Sequence, residues 1–248
     1  YFYHFADFIM KNQIKTMFKY IYQEYDLINN LITFGLHKNW KKQIVDISRS
    51  LNPKRILDVA TGTADIAIAL TKIKNCEIIG MDLSSNMLDI GNKKIKELGL
   101  QQSITLEMGD VENLDYNDNY FDVVTVGYGV RNFENLKKSL DEIYRVLKKN
   151  GTLIILETSV PKNKIIKLFY NFFTKFYVKL IGLLLSKNFE AYSYLQKSAS
   201  NFPHGHEFIN ILKNSKFRNI SQDIKLFGAS TIYAVSYTHL TLPTMRTV

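Results

Sequence analysis

Two spacings of hydrophobic residues alternate along most of the chain, and their alternation predicts strands separated by helices. Short apolar runs rich in Ile, Leu and Val are followed by segments in which apolar residues recur at helical spacing. The short runs are typical of buried strands, and the longer segments are typical of helices that pack on them. This order predicts an α/β fold with a mostly parallel sheet and helices on both faces. The predicted strands are 56–60, 77–83, 104–109, 121–126 and 152–157, followed by a last pair at 219–226 and 230–236.

The same pattern predicts how the chain is divided. Residues 1–51 form an N-terminal helical cap, and residues 52–236 form the main domain. Within that domain, 161–202 is a helical insertion in which lysines interrupt a wide apolar face. The tail 237–248 does not continue the periodicity, so we expect it to be foreign sequence and leave it unassigned.

Capping residues predict where two of the central helices begin and end. Ser84 or Ser85 is expected to cap the helix that follows the second strand. The helix predicted at 135–147 is expected to end at 148–151, where two lysines would meet its negative end and a glycine would form the turn.

The residues after the first predicted strand favour a ligand site. Thr61, Gly62 and Thr63 follow this strand directly, where parallel sheets bind ligands, and Gly62 lets the backbone approach closely. The segment lacks the Lys of a phosphate-binding loop and the three glycines of a dinucleotide fingerprint. Asp58 and Asp65 flank the turn instead, which favours a cationic ligand and makes Asp58 a predicted cofactor residue.

Acidic residues or glycines also follow the next three predicted strands. Asp82 ends the second strand about 20 residues beyond the turn, where a carboxylate can accept hydrogen bonds from both ribose hydroxyls. Asp110 follows the third strand, and Gly127 follows the fourth. One such acid alone is equally well explained as a helix cap, but the set predicts a nucleotide-like ligand at this edge.

Several motifs on this edge carry a family resemblance. They are Asp-Val-Ala-Thr-Gly-Thr-Ala-Asp at 58–65, Gly-Met-Asp-Leu-Ser at 80–84, Gly-Asp-Val-Glu-Asn-Leu at 109–114 and Gly-Val-Arg-Asn-Phe at 129–133. The chain thereby resembles class I S-adenosylmethionine (SAM) methyltransferases, and more narrowly the quinone-biosynthesis C-methyltransferases. The narrower resemblance covers roughly 14–235 and includes the segments 25–30, 34–41 and 192–198. One departure is Ala64, where the family usually has a glycine and where a methyl group is expected to crowd the cofactor.

The resemblance implies a seven-stranded Rossmann-like fold with a helical lid, SAM as cofactor, and site residues at the matching positions. The implied cofactor-binding residues are Gly62, Thr63, Asp82, Asp110, Val111 and Gly127. The implied catalytic residues are Arg131, Asn132 and Tyr25. Arg131 stays charged at any working pH and is expected to hold a phenolate-like oxygen or a proton-accepting water, with Asn132 orienting it and Tyr128 stacking on the ring. Tyr25 and Asn29 are expected to line the substrate pocket from the helical cap.

The activity expected from this resemblance is methylation of a ring carbon in a polyprenylated hydroquinone, with demethylmenaquinol converted to menaquinol. One alternative acceptor is a polyprenyl-methoxy-benzoquinol of ubiquinone biosynthesis, and others are a sterol, a small phenol or an RNA base. A further alternative is a basic binding module that retains the fold without catalysis. Carboxylates at the strand ends argue against such a module, which would not need them.

Composition and charge add expectations about partners. With 248 residues, of which 46% are hydrophobic, the chain can bury a full core as one globular domain. The net charge of +9 favours an anionic partner, but the lysines are scattered and no nucleic-acid motif is present, so we expect no nucleic-acid partner. We expect peripheral contact with membrane lipid, a cytoplasmic location at the inner face of the membrane, and a homodimer. No metal is expected, because His204 and His206 lack further ligands at suitable spacing.

Overall fold

A seven-stranded sheet forms the centre of the protein in a computed structural model that describes residues 25–178 and 198–236. The strands are β1 Arg55–Val59, β2 Glu77–Asp82, β3 Ile104–Met108, β4 Phe121–Gly127, β5 Leu147–Thr158, β6 Arg218–Lys225 and β7 Ser230–Ser236. Their order is β3-β2-β1-β4-β5-β7-β6, with β1 to β5 parallel and β7 antiparallel to both of its neighbours. The predicted α/β fold is therefore confirmed. Because the strand order reverses between β1 and β4, a crevice opens at their carboxyl ends.

Apolar side chains cover both faces of the central strands. In β4, Val124 belongs to a hydrophobic cluster on one face, and its neighbour Val123 belongs to a second cluster on the other. Leu153 and Ile154 of β5 divide between the same two clusters. Successive side chains of a strand point to opposite faces, so a strand buried on both sides must be apolar throughout. This requirement explains the short continuous apolar runs of the sequence.

Seven α-helices lie wholly within the described residues. They are α1 Tyr25–Ile32, α2 His37–Ser50, α3 Asp65–Leu70, α4 Ser85–Glu97, α5 Leu136–Val146, α6 Lys164–Phe173 and α7 His206–Asn214. The predicted N-terminal helical pattern divides into α1 and α2, because the backbone adopts positive φ angles at Phe34 (50°) and Gly35 (74°). The hydroxyl of Thr33 donates a hydrogen bond to the carbonyl of Asn29 at 2.6 Å, which satisfies a carbonyl at the end of α1.

Two of the predicted helix ends differ in the structure. Ser84 is the residue before α4, as predicted, but its side chain makes no capping hydrogen bond. The predicted turn at 148–151 is wrong, because β5 already begins at Leu147 and contains these residues. They form an irregularity in the pairing with β4, where Leu147 pairs with Phe121 but Thr152 pairs with Val123. A bulge of this kind lets the chain enter the sheet directly from α5 without a separate turn.

The described part of the helical insertion contains α6, which continues into a π-helical turn at Thr174–Val178, and the helical residues 198–201. The side chain of Asn163 caps α6 by accepting hydrogen bonds from the N–H groups of Ile165 and Ile166. Five large apolar side chains on this segment are exposed: Ile165, Leu168, Phe169, Phe172 and Phe176. None of the helices in the part of the chain that the structure describes has the length and apolar character needed to cross a bilayer.

Candidate active site

The turn after β1 is held open by an unusual backbone path. Ala60, Gly62 and Ala64 all have positive φ angles, of 53°, 56° and 64°. The N–H of Thr61 donates to the carbonyl of Met81 at 3.0 Å, which fixes the turn to the end of β2. Alanine seldom adopts this backbone region, so surrounding contacts must maintain it. The turn is therefore a shaped surface and not a loose loop.

Asp58 supports this turn from below. Its carboxylate accepts hydrogen bonds from the hydroxyls of Thr61 at 2.7 Å and Thr125 at 2.6 Å, and the residue is only 1% exposed. Burial raises the pKa of Asp58 from 3.8 to about 6, although these hydrogen bonds oppose the rise. The predicted cofactor residue Asp58 thus joins β1, its turn and β4, while also contributing to a cavity wall.

The raised pKa of Asp58 makes the stability of the fold depend on pH. The folded state retains this proton to a higher pH than the unfolded chain, so the contribution is fully present below about pH 4 and is lost as pH rises through about 6. The loss amounts to roughly 3 kcal/mol. Asp58→Asn should remove this pH dependence, because asparagine does not titrate. We expect urea unfolding at several pH values to show that the unfolding free energy of wild type, relative to that of the variant, falls by this amount between pH 4 and pH 7.

The control for this experiment is Asp89→Asn, which changes an exposed carboxylate on α4. Its unfolding free energy should follow the wild-type curve. Parallel curves for wild type and Asp58→Asn over the whole range would show that Asp58 does not titrate differently in the folded state.

Asp82 lies at the end of β2 with its carboxylate between two backbone N–H groups. Its Oδ2 accepts from Gly62 at 2.8 Å, and its Oδ1 accepts from Ser84 at 2.9 Å. Burial raises the pKa of Asp82, and the two hydrogen bonds oppose that rise. Each carboxylate oxygen has a second lone pair, so the group can accept further hydrogen bonds. Asp82 thus orders the β1 turn and keeps acceptor capacity for a ligand.

A cavity lies along the ends of β1, β2 and β4, and we call it the first cavity. The predicted residues that line it are Gly62, Asp82, Asp110, Val111, Gly127 and Asn132. The structure therefore brings the predicted ribose and adenine positions together. Asn132 lies here as well, on the short 3-10 turn Val130–Asn132.

Glycines at this edge let the backbone approach neighbouring residues more closely than a side chain would allow. A Cβ on Gly127 would lie 2.2 Å from Cδ1 of Ile66, and a Cβ on Gly129 would lie 2.6 Å from the Cβ of Ala60. Neither approach is possible without movement of the neighbouring atoms. The backbone at the end of β4 therefore contacts α3 and the β1 turn directly and forms part of the cavity wall.

A second, larger cavity adjoins the first, and we call it the second cavity. The two cavities share Ala60, Gly62, Gly127 and Tyr128 in their walls. The predicted residues in the second cavity are Asn29, Asp58, Thr63, Arg131 and Tyr128. Its outer wall is formed by Tyr170, Phe173 and Thr174 of α6 and the turn after it. The described ends of the strands therefore offer two compartments that meet at the β1 and β4 turns.

Arg131 reaches the second cavity from a buried ion pair. Its Nη1 donates to Oε1 of Glu157 at 2.5 Å, and Glu157 is fully buried at the end of β5. The same carboxylate accepts a hydrogen bond from the N–H of Thr158 at 2.7 Å. The guanidinium carbon of Arg131 lies 5.8 Å from the ring centre of Tyr128. These contacts fix the orientation of the guanidinium, and its five N–H donors allow it to bind more than one acceptor.

Thr63 lies where charged side chains of four helices meet. Its hydroxyl donates to Asp26 in α1 at 2.8 Å and accepts from Nζ of Lys94 in α4 at 3.0 Å. Lys94 also pairs with Asp26 and Asp65, and Lys41 of α2 pairs with Asp65 at 2.5 Å. Burial opposes ionisation of Asp65, but Lys41 and Lys94 outweigh it and lower its pKa. This network ties the N-terminal helices to the β1 turn.

Two features that the sequence analysis singled out lie outside the described residues. Tyr25 begins α1, but its side chain is outside the described residues, and so is almost all of the segment 192–198. Ala64 is described and is fully buried. It lines neither of the two cavities, and its methyl group faces Gly91 of α4. The structure therefore does not place this methyl group where it would crowd the cofactor.

The structure also adds residues to which the sequence analysis gave no role. The most informative are Glu157, His37, Lys41 and Tyr170. Glu157 had a usable signal, because it ends a parallel strand just as Asp82 does. The other three lie on helices, and the spacing of hydrophobic residues in the sequence does not predict how these helices pack on the sheet edge. Among the described residues, no group of three or more His, Cys, Asp or Glu side chains is placed to hold a metal ion.

Comparison with known proteins places this chain in a family. The model of the ubiE/COQ5 methyltransferase family matches residues 8–236. A demethylmenaquinone methyltransferase of Bacteroides fragilis is 36% identical over 225 residues, which cover 90% of this chain and 92% of that protein. The demethylmenaquinone methyltransferase of Staphylococcus carnosus is 38% identical over 219 residues, covering 88% of this chain and 89% of that protein.

Solved structures agree on the fold. A SAM-dependent methyltransferase of Thermotoga maritima, described as a possible histamine N-methyltransferase, superposes with a TM-score of 0.62 at 20% identity, covering 90% of this chain and 99% of that one. A putative SAM-dependent methyltransferase of Methanococcus maripaludis gives 0.61 at 22% identity, covering 88% and 93%. The class I SAM methyltransferase fold that the motifs imply is thereby confirmed. With its family model matched over nearly the whole chain, the protein is a SAM-dependent methyltransferase that belongs to the ubiE/COQ5 methyltransferase family.

Proposed function

We propose that this enzyme methylates a ring carbon of demethylmenaquinol and so forms menaquinol. The names of its relatives in Bacteroides and Staphylococcus support this substrate. The observation that carries the proposal is the meeting of two cavities at Gly62, Gly127 and Tyr128, with acidic residues in the first and Arg131 in the second. A cofactor and an aromatic acceptor bound side by side would meet at these shared residues.

The first cavity has the features needed for SAM. Asp82 offers carboxylate oxygens for the ribose hydroxyls, and we assign the adenine to Asp110 and Val111, which also line this cavity. Gly62 and Gly127 lie in the wall that both cavities share, so we assign them to the methionine portion, which Thr63 would approach from the second cavity. Bound SAM supplies an electrophilic methyl group on a positively charged sulfur. The carboxylates of buried Asp58 and half-buried Asp82 near this position favour a cationic ligand.

Arg131 is the residue that we assign to activation of the acceptor. A ring carbon is a weak nucleophile until the adjacent hydroxyl loses its proton, so the enzyme must stabilise a phenolate-like oxygen. The guanidinium of Arg131 carries a permanent positive charge, and Glu157 holds it in a fixed orientation at the cavity. We assign ring stacking to Tyr128. Asn132 and Tyr25 are proposed to complete the catalytic group, with Asn29 lining the cavity.

We also propose that the N-terminal helical cap, residues 1–51, covers the cofactor and that 52–236 is the catalytic domain. The contacts of Asp26 with Thr63 and Lys94 support this division, because they hold α1 against the β1 turn. The insertion 161–202 is proposed as the substrate lid. Tyr170 and Phe173 support that role, since both line the second cavity.

One assay tests the substrate assignment. Purified enzyme is incubated with methyl-labelled SAM and either demethylmenaquinol or a demethylated polyprenyl-methoxy-benzoquinol, both kept reduced. We expect label in the naphthoquinol product at a rate at least ten times that of the benzoquinol. Preference for the benzoquinol would support the ubiquinone alternative. Label in neither quinol would contradict the proposal and favour another lipid or phenol.

Peripheral contact with membrane lipid is part of the same proposal. The inner side of α6 lines the second cavity, while Leu168, Phe169 and Phe172 on its outer side are 63 to 69% exposed. Lys164 and Lys167 lie on the same helix and are exposed as well. An apolar face beside lysines is typical of helices that lie in the interface of anionic membranes. We therefore place the enzyme at the cytoplasmic face of the membrane, where anionic lipids are enriched.

The outer face of α6 can be tested by vesicle sedimentation. The double variant Phe169→Ser, Phe172→Ser should bind vesicles of anionic and zwitterionic lipid at least about tenfold more weakly than wild type, because each exposed ring would lose its burial in lipid. Ile224→Ser is the matched control, since Ile224 is also exposed but lies on β6. Equal binding of the double variant and wild type would contradict the lipid contact. The expected homodimer stays a prediction.

A further inference from the structure

The break between α1 and α2 places a buried histidine in the wall of the second cavity. His37 is the first residue of α2 and is only 4% exposed, yet it belongs to the lining of this cavity together with Thr33 and Lys41. None of the roles assigned above uses it. A polar ring in this position needs an explanation, because burial of an imidazole is favourable only when its nitrogens have partners.

The contacts of Thr33 determine which nitrogen of His37 carries the hydrogen. The Thr33 hydroxyl lies 2.6 Å from the carbonyl oxygen of Asn29 and 2.7 Å from Nδ1 of His37. A hydroxyl has one hydrogen and a carbonyl can only accept, so Thr33 donates to Asn29 and accepts from Nδ1–H of His37. In the neutral ring Nε2 then carries a lone pair and no hydrogen. His37 makes no other hydrogen bond within the described part of the chain.

The surroundings keep this ring neutral. Burial, and then the charge of Lys41, lower the pKa of His37 to about 4. Lys38 on the same helix acts in the same direction, while Asp65 of α3 and Asp26 of α1 oppose it. At neutral pH the imidazole is therefore uncharged, and Nε2 can accept a hydrogen bond but cannot donate one.

We propose that Nε2 of His37 accepts a hydrogen bond from a ring hydroxyl of the bound substrate and thereby selects the reduced quinol over the oxidised quinone. This inference rests on the proposed function, since its ligand is the quinol ring. A hydroquinone presents an O–H donor to the lone pair of Nε2. A quinone presents a carbonyl oxygen, which is also an acceptor, so neither Nε2 nor the carbonyl gains a hydrogen bond. Only the reduced ring has the electron-rich carbon that accepts a methyl group. His37 is thus a specificity-determining residue that excludes the unreactive oxidation state.

The first test measures the tautomer without any assay of activity. In ¹⁵N NMR of the full-length protein, His37 is identified by the loss of its ring signals in His37→Gln. We expect the hydrogen on Nδ1 at pH 7. Thr33→Val removes the hydroxyl that accepts from Nδ1–H, so this tautomer should no longer dominate. Thr33→Ser keeps the hydroxyl and should keep the tautomer. Observation of the hydrogen on Nε2 in the wild-type protein would overturn the inference.

The second test measures the choice between oxidation states. The probe is 2,3-dimethyl-1,4-naphthoquinone and its anaerobically reduced quinol, because both ring positions that add thiols are substituted. Calorimetry should show that wild type binds the quinol at least about tenfold more tightly than the quinone. His37→Gln offers an amide N–H to the carbonyl, so its preference should fall below about twofold. His206→Gln, an exposed control at the start of α7, should keep the wild-type preference.

The two tests separate this inference from the proposed function. If His37→Gln keeps the wild-type preference for quinol over quinone, the inference about His37 is overturned, whatever the labelled-methyl assay shows. If His37→Gln does not fold, the pair Thr33→Val and Thr33→Ser replaces it in the binding measurement, with loss of preference expected only for the valine variant. Absence of methyl transfer to demethylmenaquinol, combined with the expected tautomer and binding preference, would contradict the proposed reaction and leave the role of His37 standing.

Discussion

Arg131→Lys should lower kcat for methylation of demethylmenaquinol on the order of 100-fold and leave the dissociation constant of SAM within about twofold of the wild-type value. Lysine keeps the charge that neutralises buried Glu157, so the fold is not left with an unpaired buried carboxylate. It lacks the planar array of donors, so it cannot bind Glu157 and a phenolate-like oxygen together in the same geometry. Single-turnover kinetics with demethylmenaquinol and calorimetry with SAM measure the two quantities.

A matched control distinguishes this catalytic role from a general effect of the substitution. Arg145→Lys changes another arginine that forms ion pairs, with Glu142 and Asp118, and it is absent from the described residues that line the two cavities. Its kcat should stay close to wild type. Full activity of Arg131→Lys, or a parallel loss of SAM affinity, would show that Arg131 does not act on the acceptor. Arg131→Ala is the poorer probe, because it would leave Glu157 buried without its partner.

Asp82→Ala should weaken SAM binding by about 1.5 to 3 kcal/mol, which corresponds to roughly 10-fold to 150-fold in the dissociation constant. The lost interactions are charged hydrogen bonds to the ribose hydroxyls. Calorimetry with SAM measures the effect, and unchanged affinity would refute the assignment of Asp82. Asp89→Ala removes an exposed carboxylate from α4 and should bind SAM like the wild type.

A second ligand separates direct ribose binding from disturbance of the turn, because Asp82 also accepts hydrogen bonds from Gly62 and Ser84. Wild type should bind S-adenosylhomocysteine more tightly than its 2′-deoxy analogue, since the analogue lacks one hydroxyl donor. If Asp82 binds the ribose, the variant should discriminate much less between the two ligands. Equal discrimination in both proteins would mean that Asp82 acts only by ordering the β1 turn.

The sequence allowed the sheet edge to be predicted because that edge follows from local patterns. Parallel strands place their carboxyl ends together, so Asp82, Asp110 and Gly127 could be brought to one edge from strand ends alone. The positions of the central strands and of the last pair also followed from apolar runs and turn residues. The same criterion would have identified Glu157 if it had been applied to β5.

Contacts between distant segments could not be predicted in this way. The hydroxyl of Thr125 contacts Asp58 across 67 positions of sequence, so nothing local indicates that this carboxylate supports the turn. Phenylalanine seldom adopts the positive φ angle that Phe34 has between α1 and α2, so local preference does not indicate this division. The position of His37 in the second cavity follows from that division and was missed for the same reason.

The antiparallel insertion of β7 between β5 and β6 also affects synthesis of the chain. During translation β5 emerges long before Ser230–Ser236, and until then one whole edge of its apolar segment Leu153–Leu156 has no hydrogen-bonding neighbour. An apolar strand with open N–H and C=O groups is prone to pair with the same strand of another nascent chain. A chaperone that shields nascent polypeptides should therefore increase the yield of native enzyme most during this interval.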